Sequence, residues 1–404
     1  MLETLRNLNR QIKWYRPLGL FQSVKQRSDT SLDQTMGRVR MGGMSSLRVI
    51  NTPSTVQQAA YVEAAATVQP LTEISDGFLN LKRRVLILGV GPLAIDLCEV
   101  LLSRRSHFSE VVGFLDKDAS RVGERLVNPS IIGTYDQLFD IVRQHQVRTI
   151  AVCLEDRRAL LPVQTLLNMK VMGHDVVDGH YLFEEVSGRL SIDHLKPSAL
   201  IFSVGFSRRR ITRWVKRFLD VVVSAIGLTM LSPLFVLLGV IIILDSSGPI
   251  FYRQMRVGLC GQTYMIWKLR SMQHDAEKSG PRWASTRDPR VSRVGRWLRK
   301  WRLDELPQLI NVLKGEMSLV GPRPERPVFV SELRNSIPYF DLRHAVRPGI
   351  TGWAQTRFRY GASPEDSHIK LQYDLYYVKH LSLMLDLRIM VNTVKVVLFG
   401  EGAR

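Results

Sequence analysis

The sequence predicts an α/β chain: a parallel-sheet region, then a hydrophobic helix hairpin, then a mainly helical, irregular region. Three observations predict this. Strand-like apolar runs alternate with helix-period segments between residues 82 and 195, the rhythm of βαβ units. An uncharged stretch runs from Val221 to Leu244 and is interrupted by Ser232-Pro233. Beyond about residue 250, Gly-Pro turns cut the chain into short pieces.

The 404 residues give length for two or three domains. Apolar residues make up 45% and charged residues 23%, which excludes wholesale disorder and a collagen-like fibre. A mean hydropathy of -0.03 excludes a polytopic membrane protein. Lys and Arg number 56 against 37 Asp and Glu, a net charge of +19. That excess implies an anionic partner: nucleic acid, an anionic membrane surface or a phosphorylated substrate. Cys98, Cys153 and Cys260 are far apart and form no CxxC pair. They read as small core residues rather than a disulfide framework or zinc site.

Residues 1–80 are weakly patterned, and the start shows no apolar core of a cleavable signal peptide. A short helix is expected at 57–66, with the surrounding segment poorly structured. From Lys82 the pattern changes. Residues 84–89 read as a buried strand, followed by a helix; 111–116 form a second strand. A helix is expected near 135–146, a strand at 147–154, a helix near 158–171 and a strand at 175–177. Gly89-x-Gly91-x-x-Ala94 sits between the first strand and its helix, the Rossmann-like arrangement for phosphate at a helix N-terminus. Asp116 ends the next strand, where a ribose hydroxyl is held in dinucleotide sites. Pro92 in the turn and alanine in place of the third glycine favour a domain that keeps the fold and binds a different ligand, or none.

A basic run, Arg208, Arg209, Arg210, Arg213, Lys216 and Arg217, precedes the uncharged stretch 221–244. Roughly 20 apolar residues span a bilayer as one helix. Proline at the centre breaks that helix. Basic residues also lie on the far side, at Arg253, Arg256, Lys268 and Arg270, whereas a true span carries its positive charge mainly on one side. A hairpin that dips in and returns to the same face fits better, with the Ser232 hydroxyl available to a freed carbonyl. A buried core helix is the third alternative. Residues 291–303 read as a basic amphipathic helix, suited to a membrane surface or to packing on its own domain. Leu381–Phe399 reads as a final apolar helix.

Two groups in this last region point to phosphate chemistry. Adjacent Asp304 and Glu305 follow the basic helix, whose charges favour ionised carboxylates. One can coordinate Mg²⁺ while the other attacks phosphorus. The alternative, which composition alone favours, is a helix N-cap. Lys268, Arg270, Arg323 and Arg347 lie in or beside tight turns that suit a diphosphate. None of the nine histidines stands in a metal-ligand spacing.

Residues 208–404 resemble the bacterial sugar transferases of the monotopic polyprenyl-phosphate phosphoglycosyl transferase superfamily. The resemblance runs through KRFLD (216–220), LSPLF (231–235), GPIF with RQMRVG (248–258) and KLRSM (268–272). It continues in LDELPQLINVLKGEMSLVGPRPE (303–325), RPGITGWAQ (347–355) and Tyr373-Asp374 with YYV (376–378). The resemblance implies transfer of hexose-1-phosphate from a UDP-hexose to undecaprenyl phosphate, giving UMP and a lipid diphosphosugar. That is the first membrane step of exopolysaccharide, capsule or O-antigen synthesis. It implies Asp304 as the nucleophile of an aspartyl-phosphosugar intermediate, Glu305 as the Mg²⁺ ligand, and Lys268, Arg270, Arg323 and Arg347 on phosphate. It implies a re-entrant membrane helix at 218–246 broken at Ser232-Pro233, after a basic linker at 196–217 and before a catalytic domain at 247–404. The 82–195 domain is similar to the Rossmann-like, CoA-binding-like domain of the long members, with Gly89, Gly91 and Asp116 as its nucleotide-binding candidates. Expected partners are inner-membrane lipids and a second copy in a homodimer, with no nucleic acid. The expected location is the cytoplasmic face of the inner membrane. Long members usually begin with four membrane helices, and residues 1–80 contain no stretch that could span.

Three other readings compete. A soluble NAD(P)-dependent sugar-nucleotide enzyme built on 82–195 leaves 221–244 unexplained. A nucleic-acid-binding regulator would follow from the net charge alone. A catalytically dead membrane scaffold has no use for the intact Asp304-Glu305 pair.

Overall fold

The computed structural model describes residues 83–103, 109–154, 161–194, 197–203, 205–206, 210–273, 276, 288–358 and 364–399. The N-terminal segment, with its expected helix at 57–66, lies outside them, as do Arg208 and Arg209.

Five strands form one parallel sheet: β1 (Arg83–Leu88), β2 (Ser109–Asp116), β3 (Ile131–Thr134), β4 (Thr149–Val152) and β5 (Asp175–Asp178), in the order β3-β2-β1-β4-β5. Helices α1 (Pro92–Ser103), α2 (Leu138–Gln144), α3 (Val163–Val171) and α4 (Gly179–Ser187) cover its two faces. The central strands are apolar on both sides because both faces are buried: Val85, Leu86, Ile87 and Leu88 are all inaccessible or nearly so. This is the predicted α/β domain. Strand β3 was not expected; its four residues are too few for a period to show. Gly89 has φ +112°, and a Cβ there would lie 2.9 Å from the Cys153 carbonyl oxygen, so glycine permits the turn into α1.

The next core begins before residue 195. Leu190 and Ile192 pack with Val330, Leu333, Phe340 and Leu375. Trp353 Nε1 donates to the Gly188 carbonyl at 2.7 Å, and Lys379 Nζ donates to Glu184 at 2.6 Å. The parallel-sheet region and the C-terminal region are therefore bonded to each other through buried polar groups.

After α5 (Pro197–Phe202), the hydrophobic stretch forms two helices, α6 (Arg210–Met230) and α7 (Ser232–Asp245), bent by 59°. The break falls at Leu231. Ser232 and Pro233 are the first residues of α7, where proline needs no hydrogen-bond partner for its nitrogen. The Ser232 hydroxyl donates to the Thr229 carbonyl at 2.8 Å, the compensation expected of it. No single described helix is long and apolar enough to cross a membrane; the bent pair meets the length and composition together. One side of α7 packs through Leu238 and Ile242 on Leu269 and Leu298. The other side leaves Val236, Leu237, Val240, Ile243 and Leu244 exposed, and α6 exposes Trp214, Phe218, Ile226 and Met230.

The remaining chain is mainly helical. Strands β6 (Phe251–Val257) and β7 (Thr263–Leu269) form an antiparallel hairpin, and α8 (Arg293–Lys300) is the predicted basic helix. A one-turn 3₁₀ helix at Leu303–Glu305 leads into α9 (Gln308–Lys314). Strand β8 (Ser318–Val320) pairs in parallel with β9 (Gly349–Thr351), either side of α10 (Pro327–Ser336). Then come α11 (Trp353–Arg357), α12 (Pro364–Lys379) and α13 (Leu383–Phe399). The hairpin and the β8-β9 pair were not anticipated, because β8 and β9 are three residues each and β6 and β7 show no clean alternation of polar and apolar residues.

Candidate active site

Asp304 and Glu305 lie on the 3₁₀ turn, not on a helix cap. The residue that caps α9 is Pro307, which offers no side-chain bond. The turn is set by Arg302, whose φ of 53° reverses the chain after α8. Both carboxylates are buried, each 7% exposed.

Their environments differ sharply. Glu305 Oε1 accepts from Lys268 Nζ at 3.1 Å and from Arg323 Nη2 at 2.5 Å; Oε2 accepts from Arg323 Nη1 at 3.3 Å and lies 3.7 Å from Arg302 Nη1. Burial raises its pKa, but the charges of Arg323 and Lys268 outweigh that and hold the carboxyl well below its usual range. Asp304 accepts no side-chain hydrogen bond among the described residues. Burial, and then the negative charge of Glu305, push its carboxyl above the usual range. Burial also lowers the Lys268 ammonium from its ordinary value.

Each cation is delivered by a different element. Lys268 comes from β7, which is fixed to α9 by the fully buried Asn311. The Asn311 Oδ1 accepts from Trp267 N at 3.0 Å, and its Nδ2 donates to the Met265 carbonyl at 2.8 Å and to Glu316 at 2.7 Å. Arg323 comes from the Gly321–Pro324 turn. That turn interlocks with 347–352: Gly321 N donates to the Thr351 carbonyl at 2.9 Å and Gly349 N to Pro322 O at 3.0 Å. Arg343 Nη2 donates to the Arg323 carbonyl at 2.8 Å and pairs with the buried Asp374 at 2.7 Å. Burial raises the Asp374 carboxyl to about 6 despite Arg343.

Two of the four basic site candidates are therefore placed on the carboxylates, and two have other work. Arg270 donates to the carbonyls of Ile242, Ser246 and Ser247 and closes the C-terminus of α7. Arg347 Nε donates to Gly315 O at 2.9 Å, beside Arg217, which donates to the carbonyls of Val312 and Leu313; together they close α9. Helix ends leave carbonyls without partners, and a buried guanidinium satisfies several at once. Residues missed in the sequence are Arg302, Asn311, Arg343 and the pairing of Asp374 with Arg343. The positive φ at Arg302 has no sequence signature, and Asn311 looks like any polar residue in a helix.

At the sheet, Gly89, Gly91 and Asp116 do come together at the carboxyl ends of β1 and β2. The Asp116 carboxylate is already engaged: Oδ1 accepts from Lys117 N at 2.6 Å and Oδ2 from Arg121 Nη1 at 2.8 Å.

A cavity of about 470 Å³ lies against the carboxylate turn. Glu305 and Arg302 form part of its wall, with Leu306, Leu309, Ile350 and Val394.

Among the described residues no group of three or more His, Cys, Asp or Glu side chains could hold a metal ion. The 3₁₀ turn offers two adjacent carboxylates, Asp304 and Glu305. That fits Mg²⁺, which typically takes one or two carboxylates together with substrate phosphate oxygens and water. Glu305 Oε2 accepts one hydrogen bond and keeps a lone pair for such an ion.

The sequence profile of the bacterial sugar transferase family matches residues 211–400. The UDP-N-acetylgalactosamine-undecaprenyl-phosphate N-acetylgalactosaminephosphotransferase of Aeromonas hydrophila is 43% identical over 221 residues, 55% of this chain and 52% of its own. The undecaprenyl-phosphate glucose phosphotransferase of Komagataeibacter xylinus is 32% identical, covering 80% of this chain and 60% of its own. The UDP-glucose:undecaprenyl-phosphate glucose-1-phosphate transferase of Klebsiella pneumoniae is 31% identical over 342 residues, 81% of this chain and 71% of its own. The chain belongs to the bacterial sugar transferase family. It spans between half and two thirds of the length of the Aeromonas and Komagataeibacter relatives.

Proposed function

We propose that this protein transfers a sugar-1-phosphate from a UDP-sugar to undecaprenyl phosphate, in the first membrane step of a surface polysaccharide. The observation that carries the reading is the asymmetry of the carboxylate pair. Glu305 gathers the cations Lys268, Arg323 and Arg302, while the buried Asp304 beside it is left unbonded, with a raised pKa. An unsolvated carboxylate of raised basicity is a nucleophile prepared for phosphorus.

In this mechanism an Asp304 Oδ attacks the phosphorus that bears the sugar. The bond from that phosphorus to the bridging oxygen breaks, and UMP leaves with the electron pair. A phosphate oxygen of undecaprenyl phosphate then attacks the same phosphorus and releases the Asp304 carboxylate. Phosphoryl transfer needs positioning and charge neutralisation above all. Arg323 and Lys268 supply both, because they are fixed by the interlocked turns and by Asn311 before substrate arrives. Mg²⁺ would be held by Glu305 with Asp304 beside it, and when bound neutralises charge on the diphosphate.

The bent pair α6–α7 is read as re-entrant in the inner membrane, with the parallel sheet and the catalytic region on the cytoplasmic face. The continuous apolar exposure of Trp214, Phe218, Ile226, Val236, Val240 and Leu244 supports this. Exposed Trp297 on the basic helix α8 supports an interfacial position. The soluble NAD(P)-dependent alternative draws no support from the sheet, where Arg121 occupies Asp116.

The test is UMP release by detergent-solubilised protein with Mg²⁺, undecaprenyl phosphate and a panel of UDP-sugars. Release beyond one equivalent per protein is expected to require lipid, and all release to require Mg²⁺ and to vanish in Asp304→Asn. An active Asp304→Asn protein would refute the nucleophile, and no release with any nucleotide sugar would refute the activity.

A further inference from the structure

We propose that the cavity beside Glu305 seats the head-proximal isoprene units of the lipid acceptor, with the acceptor phosphate at its Glu305–Arg302 end. The proposal rests on the transfer reading above and assigns a place to one of its two substrates.

The composition of the wall selects the occupant. Beyond Arg302 and Glu305, aliphatic side chains from separate elements dominate it: Val223 of α6, Leu306 and Leu309 after the carboxylate turn, Ile350 of β9, and Met390 and Val394 of α13. Most of its few polar groups are satisfied within the chain. The hydroxyls of Thr351 and Thr393 bond each other at 2.6 Å, and Thr356 Oγ1 donates to the Trp353 carbonyl at 2.9 Å. Gln355 Nε2 reaches the Ile350 carbonyl at 3.4 Å, leaving Gln355 Oε1 as an unbonded acceptor. Away from the Arg302–Glu305 end, that acceptor and the Trp301 indole N–H are the groups left to a ligand, fewer than a nucleoside needs, which displays donors and acceptors on base and ribose. A prenyl chain asks for none.

Charge and position agree with this. At the polar end Glu305 is paired with three cations, Lys268, Arg302 and Arg323, of which Arg302 lines the cavity itself, an excess that favours an anion there. Val223 and Val394 line the cavity and are also largely exposed, so it is open along α6 and α13. Helix α6 is the first arm of the bent apolar pair. About 470 Å³ is the size of a pocket for a small ligand. It holds the start of a polyprenyl chain, and the opening lets the remainder pass into the bilayer.

The experiment uses the full chain in lipid nanodiscs. Val394→Trp fills the cavity from its open side without touching the carboxylate turn. It is expected to raise the KM for undecaprenyl phosphate about tenfold. The KM for the UDP-sugar should stay put, as should exchange of labelled UMP into UDP-sugar, which needs no acceptor. An unchanged acceptor KM overturns the proposal. A raised donor KM also overturns it and assigns the cavity to the nucleotide. In parallel, a diazirine-bearing prenyl phosphate is photo-crosslinked to the unmodified protein. Label on peptides covering 303–309 and 390–396 supports the site and label confined to other peptides refutes it, even if Val394→Trp does not fold. Absence of lipid-dependent UMP release from the unmodified protein would defeat the transfer reading instead, while the crosslink still reports on the cavity.

Discussion

Two of the turns that place an acidic residue beside an arginine, at the end of β2 and at Leu303–Glu305, differ in what remains unsatisfied. At the end of β2, Asp116 is closed by Lys117 N and by Arg121, which also pairs with Glu124 on the surface. At the 3₁₀ turn, Glu305 draws three cations while Asp304, equally buried, accepts no side-chain hydrogen bond among the described residues. A glycine-rich turn with a following aspartate is the stronger motif on paper. The buried, unevenly balanced pair is the stronger site in three dimensions, because only there does the fold leave a charged group that a ligand can complete.

That contrast can be broken most forcefully at Arg323. Arg323→Ala removes the bidentate partner of Glu305 and is expected to lower the transfer rate by about 10²–10³-fold. It should also cost about 3 kcal/mol of stability, because Glu305 stays buried with less compensation. Rate and denaturant midpoint, measured on the same preparation, check both. A variant with normal turnover would mean that Arg323 serves the fold alone.

A smaller effect is expected one layer out. Asn311→Ala leaves the Trp267 N–H and the Met265 carbonyl without their side-chain partner and should destabilise by about 2 kcal/mol. Because Lys268 follows Trp267, turnover should fall further than stability explains. Thermal melting and kcat, compared with a mutation of equal cost in the parallel-sheet core, separate the two.

The pH profile sharpens the comparison without disrupting the fold. Only ionised Asp304 can attack, and its pKa is raised by burial and by Glu305. Activity should therefore decline as pH falls through a value above that of an ordinary aspartate. In Glu305→Gln one cause of elevation is gone, so the acid limb of the residual activity should move to lower pH. Movement to higher pH would contradict the assignment.

The smallest effect belongs to the sheet. Asp116→Asn weakens a partly exposed pair and should change stability by less than about 1 kcal/mol, with transfer within about twofold of normal. A large loss of transfer would give the Gly89 turn a part in catalysis.

Much of the fold was legible before the structure. Strands β1 and β4 were visible because strands buried on both faces are written as continuous apolar runs, and the shorter apolar runs of β2 and β5 were visible through the strand–helix alternation. The break near Ser232-Pro233 was visible because proline acts locally; its placement one residue earlier, at Leu231, is the difference between interrupting a helix and starting one. Strand β3 and the β6–β7 hairpin were not visible, since neither carries a usable period.

The site divides in the same way. Lys268 and Arg323 could be named as candidates from residue type and turn chemistry, whereas composition alone favoured a helix cap for Asp304 and Glu305, and their roles came from the family resemblance. The separation of Lys268 and Arg323 from Arg270 and Arg347 could not be read from the sequence. All four are basic residues in or beside tight turns, and the difference lies in which groups face them: carboxylates for one pair, the open carbonyls of α7 and α9 for the other. Local sequence determines which backbone and which charges are present. Partners distant in the chain determine what each charge neutralises, and that follows only once the core has brought them within hydrogen-bonding distance.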